Sequence, residues 1–266
     1  MDTWNPTHYL QFGDERTRPA VDLVMRVQME SPRTVVDLGC GPGNSTAVLK
    51  GRWPNARIVG VDSSPQMVDA ARNADPAGEW VLADVREWAP AQPLNVVFSN
   101  ATLQWLPDHG SLIRRLFGYV AEGGALAFQI PAQIYARVCT LIQEVAADPA
   151  WAERMRGPLA LLTMEPLTFY YDQLAPLASA VDAWETEYLH VMASQVAIVE
   201  WISSTGLRPF VEALATEVER RRFVDLLQER VSESYGVRAD GKVLLAFQRM
   251  FMIAYKGAAS EAERNT

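Results

Sequence analysis

The sequence predicts an α/β fold: a mostly parallel, seven-stranded sheet with helices on both faces. Three observations carry that prediction. Between residues 34 and 129, five short apolar runs alternate with helical segments, the rhythm of a βαβ chain. The runs are apolar at nearly every residue rather than at every second one, as strands buried on both faces are. A cluster of glycines, Gly39, Gly41 and Gly43, closes the first run where a helix begins.

Taken in order, a first core helix is expected over residues 20–29 and the first strand over 34–38, Thr-Val-Val-Asp-Leu. A helix over 45–52 and a strand over 56–61 follow. Ser64 and Pro65 cap and start the next helix, because Ser accepts a first-turn N–H and Pro has none to leave unpaired. Met67, Val68 and Ala71 give that helix its apolar face. Further strands are expected at 79–83, 95–99 and 124–130, with helices at 110–119 and, briefly, near 85–88.

Beyond Pro131 the rhythm changes. An amphipathic helix is expected over 134–145, a helix capped by Asp172 over 172–178, and a strand over 181–192. A helix over 196–203 runs into a break at Ser204-Thr205-Gly206, followed by a short element from 207. A long charged helix over 216–235 and a last strand over 243–255 complete the sheet. The expected organisation is an N-terminal helical cover (1–30), a ligand-binding core (31–130) and a largely helical lid holding strand 181–192 (131–215). The last helix and strand of the core (216–256) and a fraying tail (257–266) follow.

Lys and Arg total 24 against 32 Asp and Glu, a net charge of −8. A surface of that sign repels a phosphate backbone and is not drawn to anionic lipid, so neither nucleic acid nor a membrane is an expected partner. A small anion remains admissible, since a few convergent arginines bind it locally. No apolar run reaches the roughly 18 residues a membrane span needs. The N-terminus lacks a basic stretch followed by an apolar one, so a cytoplasmic protein is expected. Cys40 and Cys139 form neither a disulfide framework nor a metal pattern. His8, His109 and His190 are dispersed, and no metal site is assigned. The absence of a heptad run or long interface helix favours a monomer.

The informative stretch is Asp37-Leu-Gly39-Cys40-Gly41-Pro-Gly43-Asn44. Glycines here let the backbone turn sharply and approach a ligand closely. The spacing is G-x-G-x-G, not the G-x-G-x-x-G of a dinucleotide site, and Asp37 beside it disfavours a diphosphate. That acid suits a cationic ligand, or one with ammonium and hydroxyl donors. Asp62 closes the second strand 23 residues after Gly39, where a carboxylate accepts ribose hydroxyls or simply meets solvent. Asp84 closes the third strand and either accepts an adenine amino group or caps the piece after it, while Val85 offers an N–H. Asn100, Ala101, Gln104 and Trp105 follow the fourth strand, and the strand ends of such a sheet face one crevice.

Five stretches in this order, V-V-D-L-G-C-G-P-G-N-S-T, V-G-V-D-S-S-P-Q-M, L-A-D-V, S-N-A-T-L-Q-W and G-G-A-L-A-F, resemble the class I S-adenosylmethionine-dependent methyltransferases. The resemblance implies a Rossmann-like fold, S-adenosylmethionine as cofactor and S-adenosylhomocysteine as product. Carried residue by residue, it implies that Asp37, Gly39, Cys40, Gly41 and Gly43 surround the methionine part. Asp62 would take the ribose, Ser63 and Met67 would line the adenosine pocket, and Asp84 and Val85 would address adenine. Asn100, Ala101, Gln104 and Trp105 would close the site from the fourth-strand side, joined by Gln11 and Arg16 from the N-terminal segment.

A sulfonium methyl is already activated. The protein has to hold donor and nucleophile in line, about 3 Å apart, and exclude water. A carboxylate acceptor is ionised at neutral pH and needs no base, only donors that hold the anion. Trp4, His8, Tyr9 and Arg16, then Phe169 and Tyr170, then Trp201 and Arg208 are the candidates for orienting it. Core packing for the aromatics and solvation for the arginines are the plain alternatives. No general base is assigned: His109 belongs to a helix start or to the crevice, and His190 to a packed or edge strand. Residues 5–19 and 200–210 are similar to the trans-aconitate 2-methyltransferases. That likeness implies esterification of one carboxylate of a small anionic tricarboxylate. Alternatives are another small carboxylate, a malonyl-carrier thioester, or a non-catalytic S-adenosylmethionine-binding protein.

Overall fold

Nearly continuous apolar sequence becomes fully buried strand. In the computed structural model, which describes residues 13–132, 136–161, 164–203 and 205–258 and side chains from residue 17 onward, Val35, Val36 and Leu38 have no exposed surface. They belong to β1 (Thr34–Leu38). Burying such a side chain is worth roughly 1.5–3 kcal/mol, and Val96, Val97 and Phe98 of β4 (Leu94–Asn100) repeat the pattern.

The elements run α1 (Gly13–Arg26), β1, α2 (Asn44–Arg52), β2 (Arg57–Asp62), α3 (Pro65–Ala74), β3 (Glu79–Leu82), β4 (Leu94–Asn100). A 3₁₀ turn at Leu103–Trp105, α4 (His109–Gly118) and β5 (Val120–Pro131) follow. Then come α5 (Arg137–Ala146), α6 (Ala152–Leu161), α7 (Leu167–Leu174), β6 (Ala180–Met192), α8 (Gln195–Ser203), α9 (Arg208–Glu212), α10 (Glu217–Ser234) and β7 (Val243–Tyr255). The seven strands lie in the order β3-β2-β1-β4-β5-β7-β6. The pairs β1–β2, β1–β4, β2–β3 and β4–β5 are all parallel. Chain order reverses between β1 and β4, where such sheets open a crevice at their carboxyl ends.

Two compact units make up the chain. The first runs to Ile130 and includes Glu165–Glu185 and the chain from Met250 onward; the second is Pro131–Met164 with Thr186–Arg249. The units divide after Ile130, with 165–185 grouped with the first unit and the long helix α10 with the second. In the first unit Trp184 stacks on Phe251 at 4.8 Å and carries Arg26 over its ring at 4.2 Å. In the second, Trp151 packs on Phe223 at 5.4 Å and donates its indole N–H to the Val145 carbonyl. No described helix is long and apolar enough to cross a membrane.

Local differences from the sequence reading have local causes. α1 begins at Gly13 and contains Pro19, whereas the helix was expected over 20–29. α7 begins at Leu167 after Pro166, which places Asp172 inside the helix rather than at its cap. The short helix expected near 85–88 is a turn, closed by the Glu87 and Trp88 N–H groups on the Asp84 carbonyl. Ser64 caps α3 as expected, its hydroxyl accepting the Met67 N–H at 3.4 Å.

Candidate functional site

Everything at the end of β1 depends on three left-handed glycines. Gly39, Gly41 and Gly43 have φ of 73°, 54° and 96°, a region that L-residues avoid. Gly39 also needs its missing side chain, because a β-carbon there would fall 2.1 Å from Thr102 Oγ1. At Gly41 the same construction meets nothing within 4 Å, so this part of the loop faces open space. Gly39 and Cys40 donate to the Val61 carbonyl, tying the loop to the neighbouring strand.

Asp37 lies beneath the loop and is fully buried. Its Oδ2 accepts from Ser45 Oγ at 2.6 Å and Thr46 Oγ1 at 2.7 Å, which fastens the start of α2. Its Oδ1 has no hydrogen-bond partner among the described residues. Burial pushes the carboxyl up to about 6, against the pull of the two hydroxyls, and the Asp62 charge adds to the rise. Cys40 is buried beside it, its thiol pushed up by the same desolvation.

Asp62, closing β2, braces two turns. Oδ2 accepts the Gly41 N–H and Oδ1 the Ser64 N–H, both at 2.9 Å. A carboxylate oxygen can accept more than one donor, and Asp62 lines the cleft described below. Asp84 accepts the Arg86 backbone N–H at 2.8 Å and its guanidinium at 2.5–3.0 Å. That guanidinium holds the Asp84 carboxyl below its usual range.

The fourth-strand side is strained. Ala101 has φ 54°, a cost of order 1–3 kcal/mol that surrounding bonds have to outweigh. Its N–H donates to the Gln129 carbonyl at 3.0 Å, and its own carbonyl accepts from Gln104 Nε2 at 2.7 Å. Asn100 Oδ1 is buried with no partner among the described residues, an acceptor left over beside the crevice.

These loops enclose a cleft of about 310 Å³ within the first unit. Gly39, Gly41, Asp62, Ser63 and Met67 line it from one side, and Asp84, Val85, Asn100, Ala101 and Trp105 from the other. Asp37, Cys40, Gly43 and Gln104, also singled out in the sequence, do not line the cleft; Asp37, Cys40 and Gln104 are buried, and Gly43 caps α2. Arg86, Thr102 and Leu106 line the cleft without having been expected. Thr102 and Leu106 share a loop with residues that were; Arg86 had a signal in the D-x-R spacing, which suits an aspartate accepting the N–H two residues on.

Several candidates for orienting an acceptor lie elsewhere. Tyr170 has no exposed surface. The His109 Nε2–H donates to the Leu103 carbonyl at 3.0 Å, so Nδ1 is the acceptor for the Tyr170 hydroxyl, which also receives the Glu165 N–H. Tyr170 is therefore a packed residue rather than a ligand-facing one, and burial lowers the pKa of His109. Trp201 is likewise packed within the second unit, its ring 5.5 Å from His190 and 5.0 Å from Phe247. Phe169 is half-buried. Arg208 begins α9, three-quarters buried, with Glu212 at 3.9 Å. Trp4, His8, Tyr9 and Gln11 lie outside the described residues, as does the side chain of Arg16. The second unit also buries Arg249, whose guanidinium lies 5.1 Å from the Phe247 ring.

Residues 35–124 match the family model described as a methyltransferase domain. Proteins named trans-aconitate 2-methyltransferase are similar over nearly the whole chain. That of Azoarcus sp. is 46% identical over 256 residues, covering 96% of this chain and 100% of its own. That of Variovorax paradoxus is 47% identical over 97% and 100%, and that of Escherichia coli 45% over 96% and 98%. Among solved structures, the Bacillus subtilis YcgJ protein superposes with a TM-score of 0.58 at 11% identity, covering 91% of this chain and 100% of that one. Phosphoethanolamine N-methyltransferase 2 of Haemonchus contortus, solved with S-adenosylhomocysteine, gives 0.59 at 14% identity over 95% and 57%. At these identities the two structures speak to the fold.

Proposed function

The chain belongs to the trans-aconitate 2-methyltransferase family of S-adenosylmethionine-dependent enzymes, and from that premise we propose that it esterifies one carboxylate of trans-aconitate, forming the monomethyl ester and S-adenosylhomocysteine. The observation that carries the acceptor is the identity of about 46% over nearly the full length of both chains, flanking segments included. The cofactor rests on the cleft itself.

The residues present fit S-adenosylmethionine. Gly41 leaves open space, the Asp62 carboxylate lines the cleft where a diol can donate to it, and Asn100 Oδ1 is an acceptor still to be matched. Asp37 sets a buried negative charge under the loop, which suits a cationic ligand. Asp84, ionised by Arg86, accepts an amine. When bound, the cofactor supplies a methyl group on sulfonium, which a carboxylate oxygen can take without prior loss of a proton.

The protein's own part is binding, alignment and exclusion of water. Opposite charges on donor and acceptor disappear in this transfer, so a site that replaces water with fixed dipoles favours it. No base is required, in keeping with His109 being held by Leu103 and Tyr170. We assign the acceptor carboxylates to Arg208 and Arg16, with His8, Tyr9 and Trp4 in support and Phe169 as an apolar wall. Guanidinium binds a carboxylate bidentately and is not itself methylated in doing so. A monomer acting on a freely diffusing acceptor in the cytoplasm completes the reading.

The test is an initial-rate comparison with labelled S-adenosylmethionine against trans-aconitate, cis-aconitate, citrate, isocitrate and a malonyl-carrier protein. Preference for trans-aconitate supports the reading. Preference for the carrier thioester replaces the acceptor and leaves the cofactor site as described.

A further inference from the structure

We propose that Arg115 is the positioning residue for the cofactor's base: from α4 it fixes the backbone of the 84–86 loop and so sets the direction of the Asp84 carboxylate. The proposal rests on the assignment of Asp84 to the adenine amine. Its starting point is a weakness in the sheet. β3 is at the sheet edge, has four residues, and none of them is buried. The loop leaving it contributes Asp84, Val85 and Arg86 to the cleft, yet has strand support on one side only.

Side chains of α4 and the residue after it supply what the sheet does not. Arg115 donates from Nη2 to the Val85 carbonyl at 2.9 Å and from Nη1 to the Arg86 carbonyl at 2.8 Å. Nη1 also donates to the Tyr119 hydroxyl at 3.3 Å, which in turn donates to the Trp88 carbonyl at 3.1 Å. Three carbonyls of one short loop are thus held from outside it. A planar guanidinium spans two neighbouring carbonyls at once, which an ammonium on a flexible stem does not.

The consequence for Asp84 follows from peptide planarity. In a trans peptide the carbonyl of one residue and the N–H of the next point in opposite directions. Pinning the Val85 carbonyl toward Arg115 therefore points the Arg86 N–H the other way. There it donates to Asp84 Oδ1 at 2.8 Å. Arg86 then completes the hold with its own guanidinium. Arg115 acts on the base through this chain, its charge also helping to hold the Asp84 carboxyl low, and touches no reacting atom.

The experiment compares Arg115→Met and Arg115→Lys with the unaltered protein, measuring binding of S-adenosylhomocysteine and of its deaminated form, S-inosylhomocysteine. The unaltered protein should prefer the adenosyl compound. Both variants should bind it about tenfold more weakly, the loss of one well-placed charged hydrogen bond, while affinity for the inosyl compound moves less than about twofold. In turnover, the KM for S-adenosylmethionine should rise at nearly unchanged kcat. An equal loss for both compounds, or an unchanged preference, overturns the proposal and leaves Arg115 a structural residue. If the unaltered protein shows no preference, the Asp84 assignment falls and the proposal with it. Should the Met variant fail to fold, the Lys variant, which keeps the charge and stem but not the fork, decides by the same ratio.

Discussion

Thr102 occupies the place a side chain on Gly39 would need. Its hydroxyl donates to the Gly39 carbonyl at 3.2 Å, and its Oγ1 lies 2.1 Å from where a β-carbon on Gly39 would fall. The contact joins the glycine loop of β1 to the turn after β4, the two sides of the cleft. Gly39→Ala should therefore weaken S-adenosylhomocysteine binding at least a hundredfold and cost about 1–3 kcal/mol of stability through clash and backbone strain. Gly41→Ala meets no protein atom within 4 Å, so it should bind as poorly while retaining more of the stability. Calorimetric titration beside thermal unfolding separates the two. Equal unfolding behaviour would mean that the Thr102 contact does not matter.

Asp62 carries more than a ribose contact. Because its two oxygens hold the Gly41 and Ser64 N–H groups, Asp62→Ala removes loop bracing together with the ligand acceptor. The expected result is a loss of cofactor affinity of at least about 2 kcal/mol, since the ligand loses a charged acceptor and the loop that faces it loses two part-buried hydrogen bonds. At saturating cofactor the acceptor KM should be unaltered. A changed acceptor KM would place Asp62 in a different role.

The buried Asp37 gives a pH signature with a definite sign. Its folded-state value is raised from 3.8 to about 6, so the fold favours the protonated form. That contribution, about 3 kcal/mol at 1.36 kcal/mol per pKa unit, is fully present below the ordinary value and is lost as pH rises through 6. In the ligand-free protein, Asp37→Asn should gain in melting temperature relative to the unaltered protein as pH rises from about 4 to 7. Affinity for the cationic cofactor runs the other way, falling in the unaltered protein below pH 6 and staying flat in the variant. Parallel curves in both measurements would remove Asp37 from the account.

Tyr170 makes the opposite kind of prediction. Tyr170→Phe leaves the buried His109 Nδ1 and the Glu165 N–H without the hydroxyl. Stability should drop by about 1–3 kcal/mol, with kcat/KM for either substrate within about twofold. A loss of turnover without a loss of stability would return Tyr170 to the active site.

Legibility followed the range of the interactions. β1, β7 and the Ser64 cap are written in local apolar runs and capping chemistry, and the sequence reading places them at or near their observed ends. The cleft was legible for the same reason: its glycines and strand-end acids sit at fixed offsets from strands in a parallel sheet. Arg115 was not, because its function depends on carbonyls some 30 residues away that no local pattern marks. Tyr170 and Trp201 read as candidates for orienting an acceptor because aromatic composition does not say which side of a helix faces the core. The turn at Ala101 was unreadable since alanine gives no warning of a left-handed backbone.

The most direct measurement is the chemical nature of the product. The protein would be incubated with methyl-labelled S-adenosylmethionine and trans-aconitate, and the label followed through brief treatment with base. The account predicts one methyl per S-adenosylhomocysteine formed, held as a carboxylate ester and released as methanol. Label that resists base, or no transfer to any carboxylate while S-adenosylhomocysteine binds tightly, would contradict it.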